Sequence, residues 1–109
     1  MRMRPCEFRK MLPFERLQKL NTTGNLWIYI LFLLKKREIY GWEVRSLIEK
    51  KFNFRPGLIT PYRVLYRLQA DGFVKSGLKE RRRIYQITEK GKKELEKAKN
   101  FYREILTKI

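Results

Sequence analysis

The chain has 109 residues and a mass of 13.4 kDa, room for one domain of ordinary size. Its 27 Lys and Arg against 11 Asp and Glu leave +16 at pH 7, an imbalance that fits a polyanionic partner. Histidine is absent, Cys6 is the only cysteine and Asp71 the only aspartate. These counts exclude Ser-His-Asp and Cys-His catalysis, thiolate zinc sites and internal disulfides, so no enzyme, metal or cofactor is expected.

Residues 1–12 are expected to form a flexible basic arm, with Arg2, Arg4, Arg9 and Lys10 available to phosphates and Cys6 an unremarkable thiol. Pro5 and Glu7 interrupt this stretch, so it does not read as a secretory signal. Pro13 is suited to the first position of a short helix reaching about Leu20, marked by Phe14, Leu17 and Leu20. Residues 21–25 are a turn and capping cluster. The apolar run from Leu26 to Leu34 predicts a buried helix to about Arg37. Its nine residues are half of what a membrane span needs, so a cytoplasmic protein without membrane contact is expected. This stretch, 21–34, is also the one electrically neutral segment.

Gly41 breaks the pattern, and a second helix is expected from Trp42 to about Lys51 on a stripe of Val44, Leu47 and Ile48. A loop follows, containing Pro56-Gly57. Thr60-Pro61 reads as a capped helix start, with the helix running to about Asp71 and stopping at Gly72. Val64, Leu65 and Leu68 should face the core, leaving Tyr62, Arg63, Tyr66 and Arg67 outside. Residues 73–76 and 84–88 are β-like and flank a basic turn containing Gly77, Lys79, Arg81, Arg82 and Arg83. Thr88 caps a last helix, 89–108. Its apolar residues Leu95, Ala98, Tyr102, Ile105 and Ile109 fall on a heptad seam that suggests a partner helix.

Three helices, a hairpin and a helix make a mainly α chain with a small β-hairpin. That order predicts a winged helix-turn-helix carrying extra N- and C-terminal helices. Such a fold places one helix, about 60–71, in the major groove and a wing, about 76–84, on backbone or minor groove. The expected division is the arm 1–12, the DNA-binding domain 13–91 and a dimerisation helix 92–109. Expected DNA contacts are Thr60, Tyr62, Arg63, Tyr66, Arg67, Lys79, Arg81, Arg82 and Arg83. Trp27 and Trp42 are each expected in the core, the other reading being a ligand pocket at a dimer centre, for which Trp27 lies in the right helix.

Three stretches resemble the PadR-like transcriptional regulators, a branch of winged-helix proteins. They are Tyr40-Gly41-Trp42-Glu43-Val44, the segment Thr60 to Leu68 with Asp71-Gly72-Phe73-Val74, and Arg81 to Gly91. The likeness spans roughly 26–100. Where the family often has Pro after the recognition-helix Tyr, this chain has Arg63. The resemblance implies the small, single-domain subclass and a homodimer joined through terminal helices, with a Trp27-type position near its centre. It also implies double-stranded DNA as partner, a usual role as repressor, and room for a small-molecule effector of unknown identity. Composition alone leaves two other readings open, a non-specific architectural nucleic-acid binder and a winged-helix module for an acidic protein partner.

Overall fold

The computed structural model describes residues 12–109; the arm before them, with Cys6 and its four cations, lies outside. The chain runs through α1 (Pro13–Leu20), a 3-10 turn (Thr23–Asn25), α2 (Leu26–Lys36), β1 (Ile39–Tyr40) and a second 3-10 turn (Gly41–Glu43). It continues through α3 (Val44–Phe52), α4 (Thr60–Ala70), β2 (Val74–Lys79), β3 (Arg82–Ile87) and α5 (Glu89–Lys108). The strands form one antiparallel sheet in the order β1-β3-β2. This is the winged helix-turn-helix expected from the element order, with β2–β3 as the wing.

The apolar helix α2 is the centre of the core. It buries Leu26, Ile30, Leu31, Leu33 and Leu34 against Val44 and Ile48 of α3, Leu65 and Leu68 of α4, Val74 and Tyr85 of the sheet, and Leu95 of α5. No polar or charged residue is buried among the described residues, so the charge is carried on the surface.

Local chemistry sets the joints. Asn53 closes α3 in the left-handed region, φ 61°. Gly72, at φ 83°, ends α4, with Phe73 N–H donating to Leu68 O at 2.9 Å and Gly72 N–H to Gln69 O at 3.1 Å. The Thr88 hydroxyl accepts from Gly91 N–H at 3.1 Å and donates to Gly72 O at 2.7 Å, so it caps α5 and ties it to the end of α4. A Cβ on Gly91 would lie 2.1 Å from Phe73 O and 2.8 Å from Ile87 Cγ1; only glycine permits this approach of α5 to the sheet.

Several expectations need correction. Thr60 does not cap α4. It is the first helical residue, Ile59 holds the cap position without a side-chain bond, and the turn is closed instead by Tyr62 N–H donating to Ile59 O at 3.1 Å. Gly77 is not in the wing turn but paired with Ile84 inside β2. The turn is Glu80-Arg81, both at positive φ (53° and 64°). This two-residue geometry matches the twist of the strands, which are consequently six residues long. The expected helix from Trp42 opens as a 3-10 turn and becomes α-helical only at Val44. β1 adds a strand beyond the expected hairpin; Ile39 pairs with Tyr85 and Tyr40 with Ile84. Finally, Leu95 and Ala98 are buried, and Leu95 packs in the chain's own core, so the first part of the heptad seam faces inward rather than a partner.

Replacement of Gly91 by Ala should destabilise the fold by roughly 2 kcal/mol or more, because the obstacle is backbone and cannot swing aside. Gly77→Ala, with nothing within 4 Å, should leave the thermal midpoint unchanged or slightly raised. Thermal melts of the two variants check this; equal midpoints would contradict the close approach.

Candidate nucleic-acid interface

α4 buries Pro61, Leu65 and Leu68 and turns Tyr62, Arg63, Tyr66, Arg67 and Gln69 outward. Tyr66 is 77% exposed although nothing in the core requires it outside. The Arg63 side chain has no ion-pair or hydrogen-bond partner among the described residues, its backbone N–H donating to Ile59 O at 3.3 Å. Arg67 pairs with Asp71 one turn on, at 3.3 Å. Thr60, counted among the expected contacts, is half-buried.

The wing stands against one flank of this helix. Ser76 Oγ donates to Gln69 Oε1 at 3.1 Å, and Arg83 Nη1 donates to Ser76 Oγ at 3.0 Å, a chain of bonds from helix to wing. Between them runs a groove lined by Tyr62, Tyr66, Gln69, Arg83 and Tyr85. Burial raises the Tyr85 phenol above its ordinary value, against a smaller opposing effect of Arg83, so it remains a neutral hydroxyl there. On the opposite flank, Arg63 and Arg67 border an apolar groove with Trp27, Val64 and Phe73. Trp27 is half-buried on that side.

The other face of the wing holds its remaining cations. Glu38, just before β1, accepts from Lys79 Nζ at 3.0 Å and from Gln86 Nε2 at 2.7 Å. Those two hydrogen bonds, with the Lys79 charge, hold the Glu38 carboxyl below the usual carboxylate range, and the same pairing raises Lys79. Trp42 does not enter the core as expected. It is 57% exposed, stacked on Tyr40 with ring centroids 6.2 Å apart, and the Arg82 guanidinium lies 5.7 Å above it. β1 explains this: once Tyr40 pairs with Ile84, residues 41–43 turn at the sheet edge and Trp42 is carried to the wing rather than inward. Arg81, at the tip, makes no ion pair or hydrogen bond among the described residues.

Of the site residues named from sequence, Tyr62, Tyr66 and Arg83 share one groove, Arg63 and Arg67 lie on the other flank of α4, and Lys79 and Arg82 lie with Glu38 and Trp42 on the other face of the wing, with Thr60 partly withdrawn. Sequence reasoning missed Glu38, Tyr40 and the placement of Trp42. A two-residue strand leaves no periodicity by which to find them.

The sequence model of the transcriptional regulator PadR-like family matches residues 30–97. The chain belongs to that family. A PadR-like regulator from Bacillus cereus is 30% identical over 84% of this chain and 91% of that one, with a TM-score of 0.70. A transcriptional regulator from Clostridium thermocellum is 28% identical over 79% of this chain and 93% of that one, also at 0.70. Bacillus subtilis PadR, solved in complex with operator DNA, is 28% identical over 66% of this chain and 45% of that longer one, at 0.59. No curated protein sequence matches the chain. The PadR-like relatives are regulators of transcription rather than enzymes, and no described helix is long and apolar enough to cross a membrane.

The Glu38 tie has a pH signature. Its folded pKa is depressed, so the stabilisation is present above the ordinary glutamate value and is lost as pH falls through the depressed folded value. The Gln86 side-chain amide signals should therefore titrate with an inflection below the ordinary glutamate range in NMR spectra, and Glu38→Gln should abolish that inflection.

Proposed function

We propose that the chain is a sequence-specific regulator of transcription that binds double-stranded DNA as a homodimer in the cytoplasm, in the sense of a repressor. The observation that carries this reading is the exposed face of α4. Two tyrosines and two arginines stand outward on one short helix beside a basic wing, in a family of transcriptional regulators. Laid in the major groove, that helix presents Arg63 to base edges, with Arg67, Tyr62 and Tyr66 at its flanks for phosphate or thymine contact. Arg81, Arg82 and Arg83 follow the backbone or minor groove, with Lys79, expected as a contact, held back by Glu38. In domain terms, residues 13–91 form the DNA-binding unit and the end of α5 the dimerisation element.

The dimer reading rests on apolar surface. Phe101, Ile105, Leu106 and Ile109 of α5 are exposed, as are Phe14, Leu17 and Leu20 of α1. Tyr102 turns inward instead, donating to Asn21 Oδ1 at 2.7 Å, and so fixes the end of α1 beside α5. Trp27 lines a groove between residues 21–28 and α5 that a second copy would cover. No effector is assigned.

Selection of bound fragments from a random DNA pool at fixed salt tests the reading. A regulator should enrich one two-fold site and bind it ~10³-fold or more above random DNA. Equal binding of both would indicate an architectural protein, and binding of neither a protein-interaction module. Arg63→Ala should lose discrimination between sites, whereas Arg81→Ala should weaken all DNA and reduce the salt slope by about one. The double change Phe101→Ser, Leu106→Ser should give a monomer in sedimentation while the fold persists, since neither side chain is buried.

A further inference from the structure

Two large aliphatic side chains stand in solvent immediately before α4, where nothing in the fold calls for them. Leu58 is 69% exposed and Ile59 61%. Ile59 holds the cap position of α4, and at helical spacing it extends the outward row that continues through Arg63, Tyr66 and Ala70. Leu58 borders a shallow groove with Trp42, Arg55 and Tyr62. The loop that carries both is braced rather than loose. Arg45 Nε donates to Pro56 O at 2.8 Å, Arg55 pairs with Glu49 at 3.1 Å, and Pro56 is fully buried. The two side chains are thus held outward by a fixed backbone, among arginines, at the end of the helix that reaches deepest into a groove.

We infer that Leu58 and Ile59 read thymine, by contact with its C5-methyl group in the major groove. The inference rests on the DNA-binding reading of α4 given above. Neither side chain has a hydrogen-bonding atom, so neither serves a phosphate or a polar base edge. The one apolar feature that a B-DNA major groove presents is the thymine methyl. The surrounding charge selects the partner: the exposed Arg63 one turn from Ile59 suits a polyanion and opposes an apolar protein surface, which would have to desolvate it, while Arg55 beside Leu58 is already paired with Glu49 in the same groove. Specificity here would come in two parts, an arginine for hydrogen-bonding edges and an aliphatic pair for methyl groups.

The test uses the full chain and the site enriched from the DNA pool. Each thymine is replaced in turn by deoxyuridine, which removes the methyl and leaves every hydrogen-bonding group in place. At one or two positions per half-site the wild type should lose about fourfold in affinity, the worth of one buried methyl group. Ile59→Ala or Leu58→Ala should bind the thymine and deoxyuridine sites equally at those positions, and Ile59→Val should keep part of the difference. Unchanged circular dichroism and sedimentation would exclude misfolding as the cause. Three results overturn the inference while leaving DNA binding intact: an enriched site with no thymine, deoxyuridine without effect, or an Ala variant as sensitive as the wild type. A pool with no enriched sequence removes the DNA-binding reading itself, and a loss of affinity for an apolar protein partner in the Ala variants would assign the pair to that partner instead.

Discussion

One apolar helix organises this molecule. α2 packs against α3, α4, β3 and α5, and it brings almost no charge of its own until its last turn, where Lys35 and Lys36 stand exposed. Each surrounding element buries one stripe against it and has an outer face left for other purposes. Because the described core contains no charged residue, the charge of the described residues is distributed over those outer faces. Burying even one unpaired cation would cost more than a domain of this size can spare. The same packing that stabilises the fold therefore displays the charge.

The wing shows how that display is kept in order. Of its five cations, three are engaged within the chain: Lys79 by Glu38, Arg82 by the Trp42 ring and Arg83 by Ser76. A hairpin carrying so many like charges would otherwise splay. Glu38 and Trp42 come from the segment around β1, so this two-residue strand matters less for its own pairing with β3 than for what it brings to the wing. Gln69 of α4 holds the opposite face through Ser76. Helix and wing are thereby fixed relative to one another before any nucleic acid is present, which reduces the ordering cost that binding would otherwise incur.

Much of this was legible in the sequence where chemistry is local. Pro61, Gly72 and Thr88 mark the joints of α4 and α5 because each acts through its own backbone or hydroxyl, and the outward face of α4 follows from helical spacing. What failed depended on tertiary partners. The seam Leu95, Ala98, Tyr102 and Ile105 has the spacing of a coiled coil, yet its first members serve the chain's own core; a three-four period reports an apolar stripe, not who covers it. A large aromatic at the start of a helix is expected inward for Trp42, whereas pairing of Tyr40 with Ile84 sets its place at the wing. The length of the two β-like runs leaves Gly77 inside the basic turn, but the strand register pairs it with Ile84 and leaves Glu80 and Arg81 as the turn.

The ion pairs on the candidate surface differ in how readily they would yield to phosphate. Arg67 and Asp71 form an exposed pair one helical turn apart, the kind worth about 0.3–0.5 kcal/mol, so Arg67 can exchange Asp71 for a phosphate at little cost. Lys79 is held by a carboxylate that Gln86 also fixes, and releasing it would leave Glu38 facing the same phosphate that Lys79 had turned to meet. Lys79 therefore serves better as a brace than as a contact. On the proposed reading, the side chains of Arg81 at the tip and Arg63 on α4, which hold no ion pair among the described residues, would meet DNA with nothing to give up.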